Sequence, residues 1–250
     1  SDQTTVAYSS AWGGDPAEVF TTRTDSPESK ALDRKNAHIF SVSANGSRLA
    51  LGLNVQFTPN GPLAELHVAP FSGGEPSKVS DSVMDAEFDM KGEQLAVVRS
   101  LGSQRVLEYP QGKSIYATAG WISSVRFSPD GQSLAFIEHP SLGSSSGSVL
   151  AMSLPKSDPK KLVPFKQSLA GLVWRADGKE IWFASSDSGE ANRVEAVAIE
   201  GGAVRTVLAS AGNLELRDIT RDNSLLLTVG ERFSTISGPT PTDMKYRPLE

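Results

Sequence analysis

The chain has 250 residues, no cysteine and a formal net charge of −5 from 24 basic and 29 acidic side chains. Without cysteine it can form neither disulfides nor thiolate metal sites. An acidic chain without a Lys/Arg stripe is not expected to bind nucleic acid, and the sequence contains no run of about 18 apolar residues that would insert into a membrane. The 22 glycines and 15 prolines indicate a protein with many turns.

A β-hairpin signature recurs along the chain. Its clearest copy is VRFSPDGQSLAFIE, Val125 to Glu138, in which two apolar strands flank a Ser-Pro-Asp-Gly turn. Pro129 fixes φ at the first turn position and Gly131 tolerates a positive φ. Aligned on the turn residue, the copies centre on Gly46, Gly92, Gly131, Gly178 and Asn223, with spacings of 46, 39, 47 and 45 residues. Periods of this size that contain strands indicate propeller blades.

The pattern therefore predicts an all-β fold, a six-bladed β-propeller of four-stranded antiparallel blades that forms one domain over residues 1–250. The approximate blades are 1–35, 36–81, 82–120, 121–166, 167–211 and 212–250. The first blade is incomplete, because VAYSS, EVFTT and a polar strand near Ser29 to Asp33 supply only the outer three strands. Either this blade has three strands or a longer parent chain supplies the fourth. In the last blade, LLLTV, FSTIS and the tail Lys245 to Leu249 complete the count.

Three long connections should lie on one face of the ring. In a propeller blade, the loop between the second and third strands shares a face with the connection into the next blade. The segments Asn54 to Pro62, Pro140 to Ser148 and Ser186 to Asn192 are predicted to be such loops. Because function on a rigid scaffold is usually carried by its longer loops, we expect any binding surface on this face.

Two motifs suggest catalysis only superficially. Ser145 lies in a Gly-Ser-Ser-Ser-Gly segment that matches the G-x-S-x-G nucleophile elbow, but the elbow needs a strand before it and a helix after it, and both flanks here resemble strands. Asp187 lies in SSDSG, which partly resembles the Asp box of sialidase-type propellers but lacks its aromatic residue. A flexible loop and a polar turn are the better interpretations.

No metal or cofactor is expected. His38, His67 and His139 have no companion at metal-ligand spacing. A denser group of acidic residues is a candidate calcium site. It comprises Asp85, Glu87, Asp89 and Glu93. Strand alternation, however, predicts that these residues form a solvated strand edge and turn.

The candidate recognition residues are Asp85, Trp121, Arg217 and Asp218. Trp121 precedes an inner strand near the ring mouth, where an aromatic side chain can serve recognition or pack at a blade junction. The other three occupy inner-strand positions from which they can line the central channel. Trp174 and Trp182, in contrast, occupy positions expected in the core between sheets.

The hairpin SPDGQSLAF, Ser128 to Phe136, echoed by RADGKEIWF, resembles the PD40 or WD40-like repeat of TolB-type propellers. Two longer segments, Glu18 to Leu51 and Leu107 to Pro140, resemble the propeller region of bacterial transmembrane Ser/Thr protein kinases, which follows the kinase domain and the membrane helix. The resemblance implies an extracytoplasmic sensor. The chain itself has no G-x-G-x-x-G loop, His-Arg-Asp or Asp-Phe-Gly, so no kinase residue can be assigned in it.

We therefore expect a non-catalytic sensor propeller that binds a protein, peptide or small molecule at its loop-rich face and belongs to a membrane-anchored bacterial Ser/Thr kinase. One alternative is a stand-alone TolB-type module that binds proteins or peptides in the periplasm. Another is an enzyme, either a propeller hydrolase or the gating propeller of a serine peptidase.

Overall fold

The structure is a computed structural model that describes residues 4–11, 15–58, 61–230, 237–239 and 246–248. These residues form antiparallel sheets and no helix, so the described part of the chain contains no helix that could span a membrane. The prediction of an all-β protein is confirmed.

The sheets follow one another along the chain as blades. Blade 1 has three strands: β1 (Thr5–Ser10), β2 (Glu18–Arg23) and β3 (Ser29–Lys35). Blade 2 begins with β4 (Ala37–Val42), β5 (Arg48–Thr58) and β6 (Gly61–Pro70). Strand β7 (Ser77–Phe88) is its outer strand and also the inner strand of blade 3, which continues with β8 (Leu95–Leu101), β9 (Gln104–Glu108) and β10 (Ser114–Thr118). Ser82, at φ 58°, lies between the two halves of β7.

The remaining blades have separate sheets. Blade 4 contains β11 (Trp121–Phe127), β12 (Ser133–His139), β13 (Gly147–Ser153) and β14 (Lys160–Lys166). Blade 5 contains β15 (Ser168–Trp174), β16 (Glu180–Ser186), β17 (Arg193–Ala198) and β18 (Arg205–Ala209). Blade 6 begins with β19 (Asn213–Ile219) and β20 (Leu225–Gly230), and β21 (Ser237–Pro239) pairs with β22 (Tyr246–Pro248). Most of the predicted FSTIS strand lies outside the described residues. This order is consistent with six units, the first of which has three described strands.

Five tight turns join the first and second strands of blades 2 to 6, as the repeat predicted. Gly46, Gly92, Gly131 and Gly178 each have φ of 70°, and Asn223 has φ of 67°. In every copy the turn residue donates its N–H to the carbonyl three residues earlier, at 2.7–3.0 Å. We call the end of the blades that carries these turns the turn face.

The opposite end, which we call the loop face, carries the connections between second and third strands and those between blades. Two backbone hydrogen bonds place both kinds of connection together: Leu169 N donates to Ser145 O at 2.8 Å, and Leu214 N donates to Ala191 O at 2.7 Å. The predicted loops at Pro140 to Ser148 and Ser186 to Asn192 are essentially confirmed, since the strands leave residues 140–146 and 187–192 between them.

The predicted loop from Asn54 to Pro62 is wrong. Strand β5 continues to Thr58 and β6 begins at Gly61, with Gln56 opposite Leu63. Asn54, at φ 52°, lies in a β-bulge between Leu53 and Gln56 instead of starting a loop. Blade 2 therefore projects a long two-stranded ribbon.

Apolar side chains fill the space between consecutive blades, because each sheet has two faces and both need cover. Separate clusters of buried residues lie between blades 1 and 2, 2 and 3, 3 and 4, 4 and 5, and 5 and 6. Phe136 belongs to the cluster between blades 3 and 4, and Phe183 to that between blades 4 and 5. Burial of one such side chain contributes about 1.5–3 kcal/mol.

Side chains also form hydrogen bonds to the backbone of the inner strand of a neighbouring blade. Ser9 Oγ accepts from Ile39 N at 2.8 Å, and Ser41 Oγ accepts from Phe88 N at 3.2 Å. Between blades 4 and 5, Trp174 Nε1 donates to Arg126 O at 3.0 Å. Trp174 and Trp182 are buried between sheets, as the sequence predicted.

Blades 5 and 6 lie very close together at Gly171, which has φ of 81°. A Cβ at this position would lie 1.9 Å from Leu216 O.

We expect Gly171→Ala to lower the free energy of unfolding by more than about 3 kcal/mol, because it adds a backbone clash to left-handed strain. Gly189→Ala is the matched control, since Gly189 has φ of 71° and open space around its Cβ position; about 1 kcal/mol is expected there. Urea unfolding of both variants measures the difference, and equal losses would contradict a close contact between the blades.

Candidate functional site

Polar side chains meet on the axis of the propeller, close to the turn face. The positions five residues before each turn residue are equivalent in blades 2 to 6, and they hold Ser41, Glu87, Arg126, Val173 and Asp218. Three of these residues are charged. Together with Asp85, Glu215 and Arg217 on the same inner strands, they form a group that we call the axial cluster: Asp85, Glu87, Arg126, Glu215, Arg217 and Asp218.

Arg126 lies at the centre of this cluster. Its Nη1 lies 3.4 Å from Glu87 Oε2 on blade 3, and its Nη2 donates to Arg217 O on blade 6 at 3.4 Å. The second contact joins blade 4 directly to blade 6, which are not neighbours in the ring. Such a contact is possible only near the axis, so Arg126 lies there. Burial alone would lower the pKa of Arg126, but the carboxylates of Glu87, Asp85 and blade 6 raise it.

Asp85 has a structural function within the cluster. Its Oδ2 accepts from Val125 N at 3.2 Å, in the β-bulge of β11, and its Oδ1 accepts from Ala86 N at 2.9 Å. Burial raises the pKa of Asp85, while Arg126 and the backbone amides oppose this shift. Asp85 therefore connects blade 3 to blade 4 as well as lining the axis.

Glu87 has a strongly perturbed carboxyl group. Burial raises its pKa to about 8, helped by the nearby carboxylates of Asp85 and Asp218 and opposed by Arg126. Near neutral pH this carboxyl is therefore largely protonated and can donate a hydrogen bond.

The blade 6 members of the cluster are more accessible. Arg217 Nη2 pairs with Glu215 Oε2 at 2.6 Å, and Arg217 Nε donates to Thr228 Oγ1 at 3.0 Å. Asp218 is exposed, and its Oδ1 accepts from Ile219 N at 2.8 Å. Its second oxygen is therefore an accessible acceptor.

Trp121, the fourth predicted site residue, lies elsewhere. It begins β11 at the loop face, five residues before Arg126, which corresponds to roughly 16 Å along a strand. Its indole stacks on His139, with ring centroids 4.5 Å apart and an interplanar angle of 23°. The structure thus brings Asp85, Arg217 and Asp218 together and separates Trp121 from them.

His139 is a buried residue with both ring nitrogens bonded. Nδ1 donates to Ser146 O at 2.8 Å, so Nε2 accepts from Ser123 Oγ at 2.8 Å. Burial lowers the pKa of His139. This arrangement anchors the loop 140–146 and supports the packing interpretation of Trp121.

The remaining sequence motifs do not form a catalytic site. Ser145 is exposed in a loop between two strands, so no strand–helix elbow surrounds it. Asp187 forms ion pairs with Lys166 at 3.1 Å and Arg193 at 2.9 Å. His67 contacts Glu65 at 3.2 Å, and the described residues contain no group of three side chains arranged to hold a metal ion.

The acidic group expected to be solvated is more buried than predicted. Asp89 is buried, and its Oδ1 accepts from Glu93 N at 2.8 Å within the turn. Asp85 and Glu87 point to the axis. The prediction of a solvated strand edge failed for a simple reason. Alternation distinguishes the two faces of a strand, but it does not show whether the polar face is exposed to solvent or directed towards the axis of a propeller.

Sequence reasoning did not select Arg126 or assign Glu87 to the axis. A usable signal was present, since aligning the copies at the fifth residue before each turn places Glu87, Arg126 and Asp218 in one register. Charges at an inner-strand position are unusual enough to mark a site.

No model of a known protein family matches the sequence, and no curated protein matches it. Among solved structures, TolB from Acinetobacter baumannii aligns with a TM-score of 0.65 and 17% identity, over 85% of this chain and 55% of that one. A putative TolB from Agrobacterium tumefaciens aligns with a TM-score of 0.62 and 17% identity, over 84% and 77%. The β-propeller domain of the Trilobed protease from Pyrococcus furiosus, described as having an open velcro topology, aligns with a TM-score of 0.56 and 13% identity, over 98% and 80%.

These similarities establish that the chain folds as a β-propeller like that of TolB. The chain spans 55% of the length of the Acinetobacter protein. At such low identity the comparison concerns the fold, because one fold supports many functions.

The raised pKa of Glu87 predicts a pH dependence of stability. The folded carboxyl keeps its proton up to about pH 8, whereas an unfolded glutamate loses it near pH 4.5, so stability should fall as the pH rises between these values. Relative to Glu87→Gln, we expect the free energy of unfolding of the unsubstituted protein to decrease across this window, by at most about 1.4 kcal/mol per pH unit.

Urea unfolding at pH 5, 7 and 9 measures this difference. Glu93→Gln, at an exposed turn position, is the control and should follow the unsubstituted protein. Parallel pH profiles for the unsubstituted protein and Glu87→Gln would contradict a Glu87 that is protonated near neutral pH.

Proposed function

We propose that this chain is a non-catalytic recognition module that binds a partner carrying a cationic group, at the axial opening of its turn face. The partner is a protein or peptide with an arginine or lysine side chain. The axial cluster carries this proposal, because it concentrates side chains from blades 3, 4 and 6 at one place on a rigid scaffold.

The charges of the cluster favour a cation. It contains four carboxyl groups and two guanidinium groups, and even with Glu87 protonated the carboxylates of Asp85, Glu215 and Asp218 outnumber the two guanidinium groups. Asp218 remains exposed beside them. A carboxyl excess in a partly enclosed opening attracts a positively charged side chain more strongly than the same charges on an open surface.

The rim of the opening adds apolar contacts. Met90, Pro129 and Ala176 occupy the same position in consecutive turns, and all three are exposed. The turns lie side by side, since a Cβ on Gly131 would lie 3.6 Å from Met90 and one on Gly178 would lie 3.7 Å from Pro129. A peptide with apolar residues beside its basic residue fits such a rim.

The proposal extends to the parent protein. We infer that the module is the extracytoplasmic sensor of a membrane-anchored bacterial Ser/Thr kinase, on the basis of the resemblance of Glu18 to Leu51 and Leu107 to Pro140 to that propeller region. The TolB-like fold is compatible with this role and equally with a stand-alone periplasmic module.

The reading frame around the chain tests the parent. A kinase domain followed by about 20 apolar residues upstream of Ser1 is expected. An α/β-hydrolase domain downstream of Glu250 would contradict the kinase assignment and favour a peptidase, while leaving the axial binding site open to its own test.

The binding site is tested with amidated, acetylated Gly-Arg-Gly and Gly-Gln-Gly peptides by isothermal titration calorimetry. We expect the arginine peptide to bind more tightly, and Asp218→Asn to weaken it by roughly 10-fold through the loss of one exposed carboxylate. Affinity should also fall with added salt. Asp158→Asn, at an exposed position on blade 4, is the matched control. Equal binding of both peptides, or equal effects of the two substitutions, would contradict axial recognition of a cation.

A further inference from the structure

Three hydrogen-bond donors lie side by side across blade 3, at the opposite end of the molecule from the axial cluster. Ser100 on β8 is opposite Arg105 on β9, and Arg105 is opposite Thr118 on β10. Directly opposed residues of antiparallel strands share a face of the sheet. We call Ser100, Arg105 and Thr118 the donor row.

The donor row faces blade 4 at the loop face. Leu107, two residues from Arg105 and on the same side of β9, packs in the core between blades 3 and 4. The short turn from Leu101 to Gln104 and the connection from Thr118 to Trp121 border the row. Leu101 is exposed at this edge.

Arg105 is buried without a counter-ion. It is 5% exposed, and its Nε has no hydrogen-bond partner. Within the residues that the structure describes, no carboxylate forms an ion pair with it, whereas Arg99 on the neighbouring strand pairs with Glu108 at 3.3 Å.

The carboxylates of this region are already engaged. Glu138 of blade 4 faces the same interface, but its Oε1 accepts from the Tyr116 hydroxyl at 2.7 Å. Glu108 lies on the other side of β9, where it accepts from Gly112 N at 2.8 Å and pairs with Arg99. The positive charge of Arg105 is therefore not neutralised by a direct contact.

The two hydroxyls of the row complete a donor set. Thr118 Oγ1 accepts from Gly120 N at 3.1 Å, which leaves its O–H free to donate outward. Ser100 is buried beside Arg105, and its hydroxyl can donate in the same direction. A guanidinium fork flanked by two hydroxyls matches the geometry of a carboxylate or a phosphate group.

We propose that the donor row binds an oxyanion, the carboxylate or phosphate group of a ligand that reaches the loop face between blades 3 and 4. An unpaired buried guanidinium is unfavourable, and a bound oxyanion compensates it through charge-assisted hydrogen bonds. The site is separate from the axial cluster, so it stands or falls independently of the proposed function.

Nuclear magnetic resonance of the arginine Nε–Hε groups tests the site directly. The unsubstituted protein is titrated with inorganic phosphate, with acetate and with sodium chloride at matched ionic strength, and Arg105→Met identifies the Arg105 signal. We expect a saturable shift of that signal with phosphate or acetate and none with chloride. The anion with the lower Kd shows whether the natural ligand carries a phosphate or a carboxylate. No saturable shift up to about 50 mM, or an equal shift with chloride, would overturn the proposal.

Thermal unfolding distinguishes a ligand-binding arginine from a structural one. In chloride buffer, Arg105→Met should unfold at the same or a higher temperature than the unsubstituted protein, because it removes an uncompensated buried charge. It should also lose the rise in Tm caused by the binding anion, which is expected to be roughly 5 °C at about 100 times Kd.

Arg99→Met is the matched control, since it removes the partner of Glu108. It should lower Tm in chloride but retain the rise caused by the anion. A Tm loss for Arg105→Met equal to that of Arg99→Met would show that Arg105 is structural and would overturn the proposal. If Arg105→Met does not fold, Ser100→Ala replaces it, and a weakening of anion binding by at least about 3-fold is expected; unchanged binding would again contradict the site.

Discussion

The structure depends on the packing of one sheet face against the next around an axis. No single blade has enough buried surface to be stable alone, and the five apolar clusters lie between blades, not within them. Hydrogen bonds from side chains of one blade to the inner-strand backbone of its neighbour add specific contacts to this apolar packing. Ser9, Ser41, Asp85 and Trp174 each make such a bond. Apolar contacts stabilise the blade interfaces, and these hydrogen bonds orient neighbouring blades relative to each other.

The same arrangement explains why charged groups persist at the axis. The inner strands converge there, so charged side chains from blades 3, 4 and 6 lie close enough to interact. Each carboxyl group of the cluster has an arginine or a backbone amide as a neighbour, yet burial still raises the pKa of Glu87 to about 8. Asp85 combines both functions, because it lines the axis and also bonds to the β-bulge of blade 4. Asp85 therefore contributes both to the contact between blades 3 and 4 and to the charge of the axial cluster.

The two faces of the propeller have opposite chemistry. The turn face has a carboxyl-rich opening rimmed by Met90, Pro129 and Ala176, whereas the loop face carries the buried, unpaired guanidinium of Arg105 between two hydroxyls. The two faces therefore present groups of opposite charge.

The sequence alone determined the repeat and the type of fold. The hairpin turns could be predicted to the residue, because a positive φ at Gly131 or Asn223 is a local property that the residue type reveals. The structure of residues 54–62 could not be predicted in this way. Whether two polar segments continue as paired strands or form a loop depends on strand pairing, which the sequence pattern does not encode. The site was only partly predictable: Asp85, Arg217 and Asp218 were placed near the channel, but Arg126 was missed and Trp121 proved to lie at the other end. Only the tertiary structure decided these points, because residues about 90 positions apart become neighbours when successive blades pack around a common axis, and their separation in the sequence does not reveal that contact.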